Sequence, residues 1–189
     1  MSAVLLAFAV IFIAELGDKS QLMALTFATR YKAVPILIGI TIATATVHAV
    51  SVIVGGVLAV ALPTRLINVF AGVAFLGFAA WTLRGDNLDD DEAAKAERNS
   101  RSAIVAASGA FFLAELGDKT MLATITLATT HNLFWVWLGS TVGMVAADAL
   151  AIWVGKALGT RLPEKAIRYG ASAAFVIFGV LLLIEAARG

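Results

Sequence analysis

The chain has 189 residues, 60% of them hydrophobic and only 14% charged, with a mean hydropathy of +0.91. Soluble domains are about 45–50% apolar and about 25% charged, so a soluble fold of this size could not bury so much apolar surface, and the composition reads as an integral membrane protein. A net charge of +1 gives no polyanion-binding signal, which argues against nucleic acid as a partner; the absence of Cys rules out disulfides and a thiolate metal site.

The first apolar segment covers residues 2–29. Its opening resembles a leader, but no Lys or Arg precedes the apolar run and the run continues to Thr29, so cleavage is not expected. In its middle stands AELGDKS, Ala14 to Ser20, with three charges in five residues. Segments 34–61 and 65–84 follow, with Pro63 marking the turn between them. The stretch RGDNLDDDEAAKAERNSR, Arg84 to Arg101, is the one long polar region. Its carboxylate run lacks the glycine and ligand spacing of a calcium loop and reads as a solvated linker. Segment 102–130 then carries AELGDKT, Ala114 to Thr120, and segments 133–160 and 164–186, separated at Pro163, complete the chain. The expected fold class is all-α: a polytopic membrane protein with six transmembrane helices.

The two halves repeat with an offset of 100 and no gap. Glu15, Leu16, Gly17, Asp18 and Lys19 recur as Glu115, Leu116, Gly117, Asp118 and Lys119. Gly39, Gly55, Pro63 and Phe75 recur as Gly139, Gly155, Pro163 and Phe175. Each half holds three spans. Three is odd, so the second half enters the membrane from the opposite face, giving two inverted-topology three-helix repeats. The expected units are residues 1–84, a cytoplasmic charged linker at 85–101, and residues 102–189. With six spans, Arg30, Lys32, Arg84, Lys95, Arg98, Arg101, Lys156, Arg161, Lys165 and Arg168 fall on one face. The positive-inside rule makes that face cytoplasmic and puts both termini outside.

Both phrases lie near the middle of their segments, hence near the bilayer midplane, where each charged side chain costs roughly 2.5–3.5 kcal/mol on insertion scales. Such groups must face protein, water or an ion. Glu15 and Asp18 are three apart and are expected on one helix face, as are Glu115 and Asp118. Across an in-plane pseudo-two-fold axis the four carboxylates can converge, with the Ser20 and Thr120 hydroxyls beside them. Lys19 and Lys119 stand at i+4 from Glu15 and Glu115, where they can form salt bridges within each helix. Four carboxylates and two ammonium groups leave a charge that one divalent cation neutralises, and an all-oxygen site suits Mg²⁺, Ca²⁺ or Mn²⁺. Without the metal, the crowded carboxylates cannot all stay ionised, so metal release is expected to accompany proton uptake. Gly17 and Gly117 leave two readings open: a helix break that frees carbonyls, or a close helix approach.

Both phrases fit the pattern E-x-G-D-(K/R)-(S/T). The chain thereby resembles a family of cation exchangers that includes bacterial manganese exporters and the Golgi manganese/calcium–proton exchangers of eukaryotes. The resemblance covers nearly the whole chain. It implies Mn²⁺, and Ca²⁺ as a further substrate, moved against H⁺, with efflux across the cell inner membrane; a transporter built on the duplicated phrase would work by alternating access around the midplane site. It makes Glu15, Asp18, Glu115 and Asp118 the metal ligands, with Ser20 and Thr120 at the hydroxyl positions. No cofactor is expected beyond the transported ion, and no enzyme activity.

Secondary candidates come from positions where the halves differ. Gln21 is matched by Met121, a hard oxygen against a soft thioether that would favour Mn²⁺ over Ca²⁺, although such a Met more often packs. His48 is matched by Asp148; both lie within membrane segments, and Asp148 could pair with His48 or with a motif lysine. Thr26, Thr41, Thr126 and Thr141 are expected to bond back to their own helices, and Trp81, Trp135, Trp137 and Trp153 to face lipid or the membrane interface. An exporter of another small solute, such as an amino acid, is the alternative transporter, but four carboxylates suit an anionic substrate poorly. A scaffold needs no charges at the midplane, and a membrane metalloprotease would want H-E-x-x-H, whereas the two histidines, His48 and His131, stand far apart. A monomer completes the proposed site; a dimer stays open.

Overall fold

The computed structural model describes residues 2–84, 103–158 and 164–188. The polar linker 85–101, Arg161 and Pro163 lie outside the described residues. So do the side chains of Arg30, Arg84, Lys156, Lys165 and Arg168 from the charge count. Eight helices run through the described residues: α1 (Ala3–Glu15), α2 (Lys19–Arg30), α3 (Ala33–Ala61), α4 (Thr64–Arg84), α5 (Ala103–Glu115), α6 (Lys119–Thr130), α7 (Leu133–Leu158) and α8 (Glu164–Arg188).

Four of these, α3, α4, α7 and α8, contain stretches long and apolar enough to cross a membrane. At 29 residues, α3 is about 43 Å long. Large apolar side chains stay exposed along these helices, among them Val60, Phe70, Trp153 and Ile177. Water would penalise that surface and lipid does not, so the chain is a membrane protein.

The expectation of one continuous helix over 2–29, and another over 102–130, is corrected. Both break at the charged phrase. Glu15 ends α1, Asp18 caps α2, and Gly17 between them has φ 77°; Gly117 has φ 79° at the same place in the second half. Glycine takes this left-handed backbone without a Cβ clash, which settles the choice between a break and a close approach in favour of the break. The break also removes the premise that Glu15 and Asp18 share a helix face. Pro63 sits as expected between α3 and α4, where its carbonyl accepts the Leu66 N–H at 2.9 Å.

Packing between the halves is reciprocal. Helix α1 lies along α7, and α5, its counterpart, lies along α3; α4 packs on α8. Gly39 of α3 admits Ala107 and the Ile104 carbonyl of α5, and Gly139 of α7 admits Ala7 and the Val4 carbonyl of α1. Phe75 meets Phe175 at 5.8 Å between ring centroids, flanked by the exchanged pairs Phe75–Phe178 at 6.2 Å and Phe78–Phe175 at 6.0 Å. Two apolar clusters hold the frame. One joins Val10, Ile11, Phe75, Phe175 and Met144, and the other joins Phe27, Ile36, Ile40, Phe111 and Ile152.

Candidate functional site

Each break brings a helix C-terminus and a helix N-terminus to one level. Glu15 and Glu115 are the last residues of α1 and α5, and Asp18 and Asp118 precede α2 and α6. The Asp18 and Asp118 N–H groups donate to the Glu15 and Glu115 carbonyls at 3.1 and 3.3 Å, closing the turns. The N-termini of α2 and α6 add partial positive charge beside the acids.

The two phrases meet inside the protein. Glu15, Asp18 and Glu115 are 0–1% exposed, and each offers a carboxylate oxygen such that the three lie within 4.8 Å of one another. Asp118 is buried too and is a charged neighbour of Glu115, but it stands outside that set of three. Ser20 donates to Asp18 Oδ2 at 3.3 Å, and Thr120 donates to Glu115 Oε2 at 2.7 Å, so each hydroxyl is turned onto an acid of its own phrase. Both Glu15 oxygens and Glu115 Oε1 are buried without a hydrogen-bond partner among the described residues. Orphaned carboxylate oxygens are costly in an apolar interior, and here they belong to two of the three residues that cluster.

The lysines do not behave as a matched pair. Lys119 is buried, and its Nζ pairs with Asp18 Oδ1 of the other phrase. The i,i+4 bridge to Glu115 that the spacing allowed gives way to this cross-half ion pair. Lys19 is half-buried.

Gln21 and Met121 serve the breaks. The Gly17 N–H donates to Gln21 Oε1 at 2.8 Å, and the Gly117 N–H donates to Met121 Sδ at 3.2 Å. Gln21 Nε2 also donates to the Ala147 carbonyl at 3.0 Å, tying α2 to α7. A signal for this was present in the sequence: Asp18-Lys19-Ser20-Gln21 has the acid-x-x-Gln pattern of a helix start.

Asp148 stands next to the Ala147 tether. It is fully buried, both its oxygens lack hydrogen-bond partners among the described residues, and its charged neighbour is Asp18. It therefore borders the acid cluster as a fifth carboxylate. His48 is equally buried with both ring nitrogens unpartnered, so the hydrogen bond considered between His48 and Asp148 is not made. Thr26, Thr41 and Thr126 bond to their own helices as expected, whereas the Thr141 hydroxyl is buried without a partner. Trp81, Trp135 and Trp153 are exposed, but Trp137 is turned inward and donates from Nε1 to the Ala45 carbonyl at 2.9 Å, pinning α7 to α3. A separate cavity of about 380 Å³ lies among α1, α4, α6 and α8, lined by Val10, Asn68, Phe75, His131 and Glu185 among others.

Comparison with known proteins gives the chain a family. The family model described as "Divalent cation/proton antiporter GDT1" matches residues 3–90 and 103–189. A Vibrio cholerae protein named "Putative manganese exporter" is 35% identical over 183 residues, 95% of this chain and 90% of its own length. A GDT1-like protein of Synechocystis is 30% identical over 189 residues, 90% of this chain and 91% of its own. The Saccharomyces cerevisiae divalent cation/proton antiporter GDT1 is 24% identical over 237 residues, 98% of this chain and 85% of its own. No solved structure matches the chain significantly. With matches across both halves, the chain belongs to the GDT1 family of divalent cation/proton antiporters, a family of transporters and not of enzymes.

Proposed function

We propose that the chain exports Mn²⁺, with Ca²⁺ as a second substrate, in exchange for protons. One observation carries the reading: a buried oxygen from each of Glu15, Asp18 and Glu115 within a 4.8 Å span, drawn from both phrases. Oxygen ligands on opposite sides of a hard divalent cation stand about 4–5 Å apart, so the span suits one such ion. Asp118 and Asp148 complete the negative surroundings, and Ser20 and Thr120 orient the acids that take the metal. Sequence relatives named for manganese export and for divalent cation/proton antiport support the choice of ion and counter-ion.

Proton exchange follows from charge. Several buried carboxylates share one buried lysine, and a low-dielectric interior does not tolerate the remaining negative charge. A divalent cation balances it in one state and protons balance it in the other.

The membrane arrangement belongs to the same proposal. In it, α1 with α2, and α5 with α6, each make one broken crossing, so that six crossings form two inverted three-helix repeats, 1–84 and 102–189, around the 85–101 linker. The odd number of crossings per repeat and the reciprocal contacts between halves support this. The linker is then cytoplasmic, both termini lie outside, and the bacterial relative favours the inner membrane. One chain supplies every proposed ligand. Alternating access would open the site to each side in turn. The cavity among α1, α4, α6 and α8 suits one access route; on the other side, Phe27 and Tyr31 stack at the positions that correspond to Leu127 and His131.

The test is flux. Proteoliposomes should accumulate Mn²⁺ when an outward proton gradient is imposed, and Ca²⁺ should compete better than Mg²⁺. Mn²⁺ movement indifferent to the pH gradient, or none at all, rejects the reading.

A further inference from the structure

The phrases ELGDK are identical, yet their lysines occupy unlike places. Lys119 is 2% exposed, held on Asp18 of the opposite phrase, with Glu15 and Asp118 as further charged neighbours. Lys19 is half-buried. The helices that begin with these residues differ in the same sense. Helix α6, starting at Lys119, is pressed onto α3 at Gly55, where an added Cβ would lie 2.5 Å from the Ile125 carbonyl and 2.6 Å from Ala128 Cβ. At the matching Gly155 of α7, the atoms nearest an added Cβ are those of the Leu25 side chain of α2. Backbone against backbone on one side, and backbone against a flexible side chain on the other, means α6 is seated more deeply than α2. That seating carries Lys119, and not Lys19, into the acid cluster.

We propose that Lys119 is the resident cation of the site, a tethered ammonium that holds Asp18 while no metal ion is bound and is displaced when the substrate ion takes that carboxylate. The inference rests on the metal-site reading above and deepens it. Asp18 is shared: it belongs to the three acids whose oxygens converge, and it is also the partner of Lys119. A metal ion on the three acids and an ammonium on one of them compete for the same charge. Competition of this kind weakens ion binding, which helps release. It also leaves the ion-free site with a positive charge inside the membrane, so the empty carrier can reorient without an unbalanced acid cluster. A fixed structural salt bridge would instead stay on Asp18 when the ion binds.

The two possibilities differ in measurable ways. With Lys119→Gln, Mn²⁺ should bind at least about tenfold tighter, because a cation a few ångströms from the ion is gone. Mn²⁺/Mn²⁺ exchange between proteoliposomes and medium should persist while proton-driven net efflux falls. Lys19→Gln should give no such tightening. Weaker or unchanged Mn²⁺ binding in Lys119→Gln, or loss of exchange and net efflux together, overturns the proposal. Should that variant not fold, the wild-type protein provides the second measurement. Saturating Mn²⁺ should raise labelling of Lys119 by a small amine reagent several-fold relative to Lys19, read by mass spectrometry, and unchanged or reduced labelling overturns the proposal. Absence of Mn²⁺ binding to the wild-type protein would instead refute the metal-site reading itself.

Discussion

Thr44 and Met144 hold the same position in the two halves, and they touch: the Thr44 hydroxyl donates to Met144 Sδ at 3.3 Å. A residue that meets its own counterpart marks the line about which the halves are exchanged. Phe75 and Phe175 mark it again where α4 packs on α8. The two acidic phrases are therefore brought together by the crossing of α3 and α7 and by the α1–α7 and α5–α3 contacts.

The crossing can be checked directly because the chain has no native Cys. With Thr44→Cys and Met144→Cys in one chain, a short bifunctional thiol reagent should join the halves. After cleavage at a protease site inserted in the linker, they should migrate as one species in denaturing gels. Separation into two fragments would contradict the contact.

The breaks depend on two glycines. Alanine in the left-handed region costs about 1–2 kcal/mol, so Gly17→Ala and Gly117→Ala should each lower stability by that amount. At Gly117 an added Cβ meets nothing within 4 Å, so the cost there comes from the backbone alone. Thermal unfolding in detergent measures it. Transport should fall further than stability, since the break aims Glu115 and Asp118.

Much of this was legible in the sequence. The 100-residue repeat, the boundaries near Pro63, and the apolar runs that became α3, α4, α7 and α8 follow from identity and hydropathy. The family resemblance followed from the same repeated phrase. The break was half-legible. Gly17 allowed it, and Asp18 with Gln21 signalled a helix start, but a continuous apolar run from 2 to 29 favoured one helix. The argument that Glu15 and Asp18 share a helix face failed for that reason, although their oxygens converge by another route. The difference between Lys19 and Lys119 was not legible at all. Identical pentapeptides cannot encode it; it goes with the different surroundings of Gly55 and Gly155.

The buried ion pair predicts a stability cycle. Asp18→Asn removes the partner of a buried ammonium, and such a loss costs about 3–5 kcal/mol. Adding Lys119→Gln should restore part of the stability, since the buried ammonium that lost its ion-pair partner is then gone. Thermal midpoints of the two single variants and the double variant give the coupling; strictly additive losses would show that the pair carries no such energy.

Asp148 predicts a graded effect. It borders Asp18 without touching a hydrogen-bond donor among the described residues, so Asp148→Asn should weaken Mn²⁺ binding, by roughly tenfold at the effective dielectric of a partly polar interior. Its folding should be little changed, because no hydrogen bond is lost. Calorimetric titration with Mn²⁺ tests this, and His48→Gln, at the matching position but outside the acid cluster, should weaken binding less.

The central claim is one divalent ion held by acids from both phrases. Electron paramagnetic resonance of Mn²⁺ added to purified protein tests it most directly. The account predicts one tightly bound ion per chain, with binding weakened as pH falls because protons compete for the same carboxylates. It also predicts loss of that ion in Asp18→Asn and, separately, in Glu115→Gln. Undiminished binding of one Mn²⁺ in both variants would contradict it.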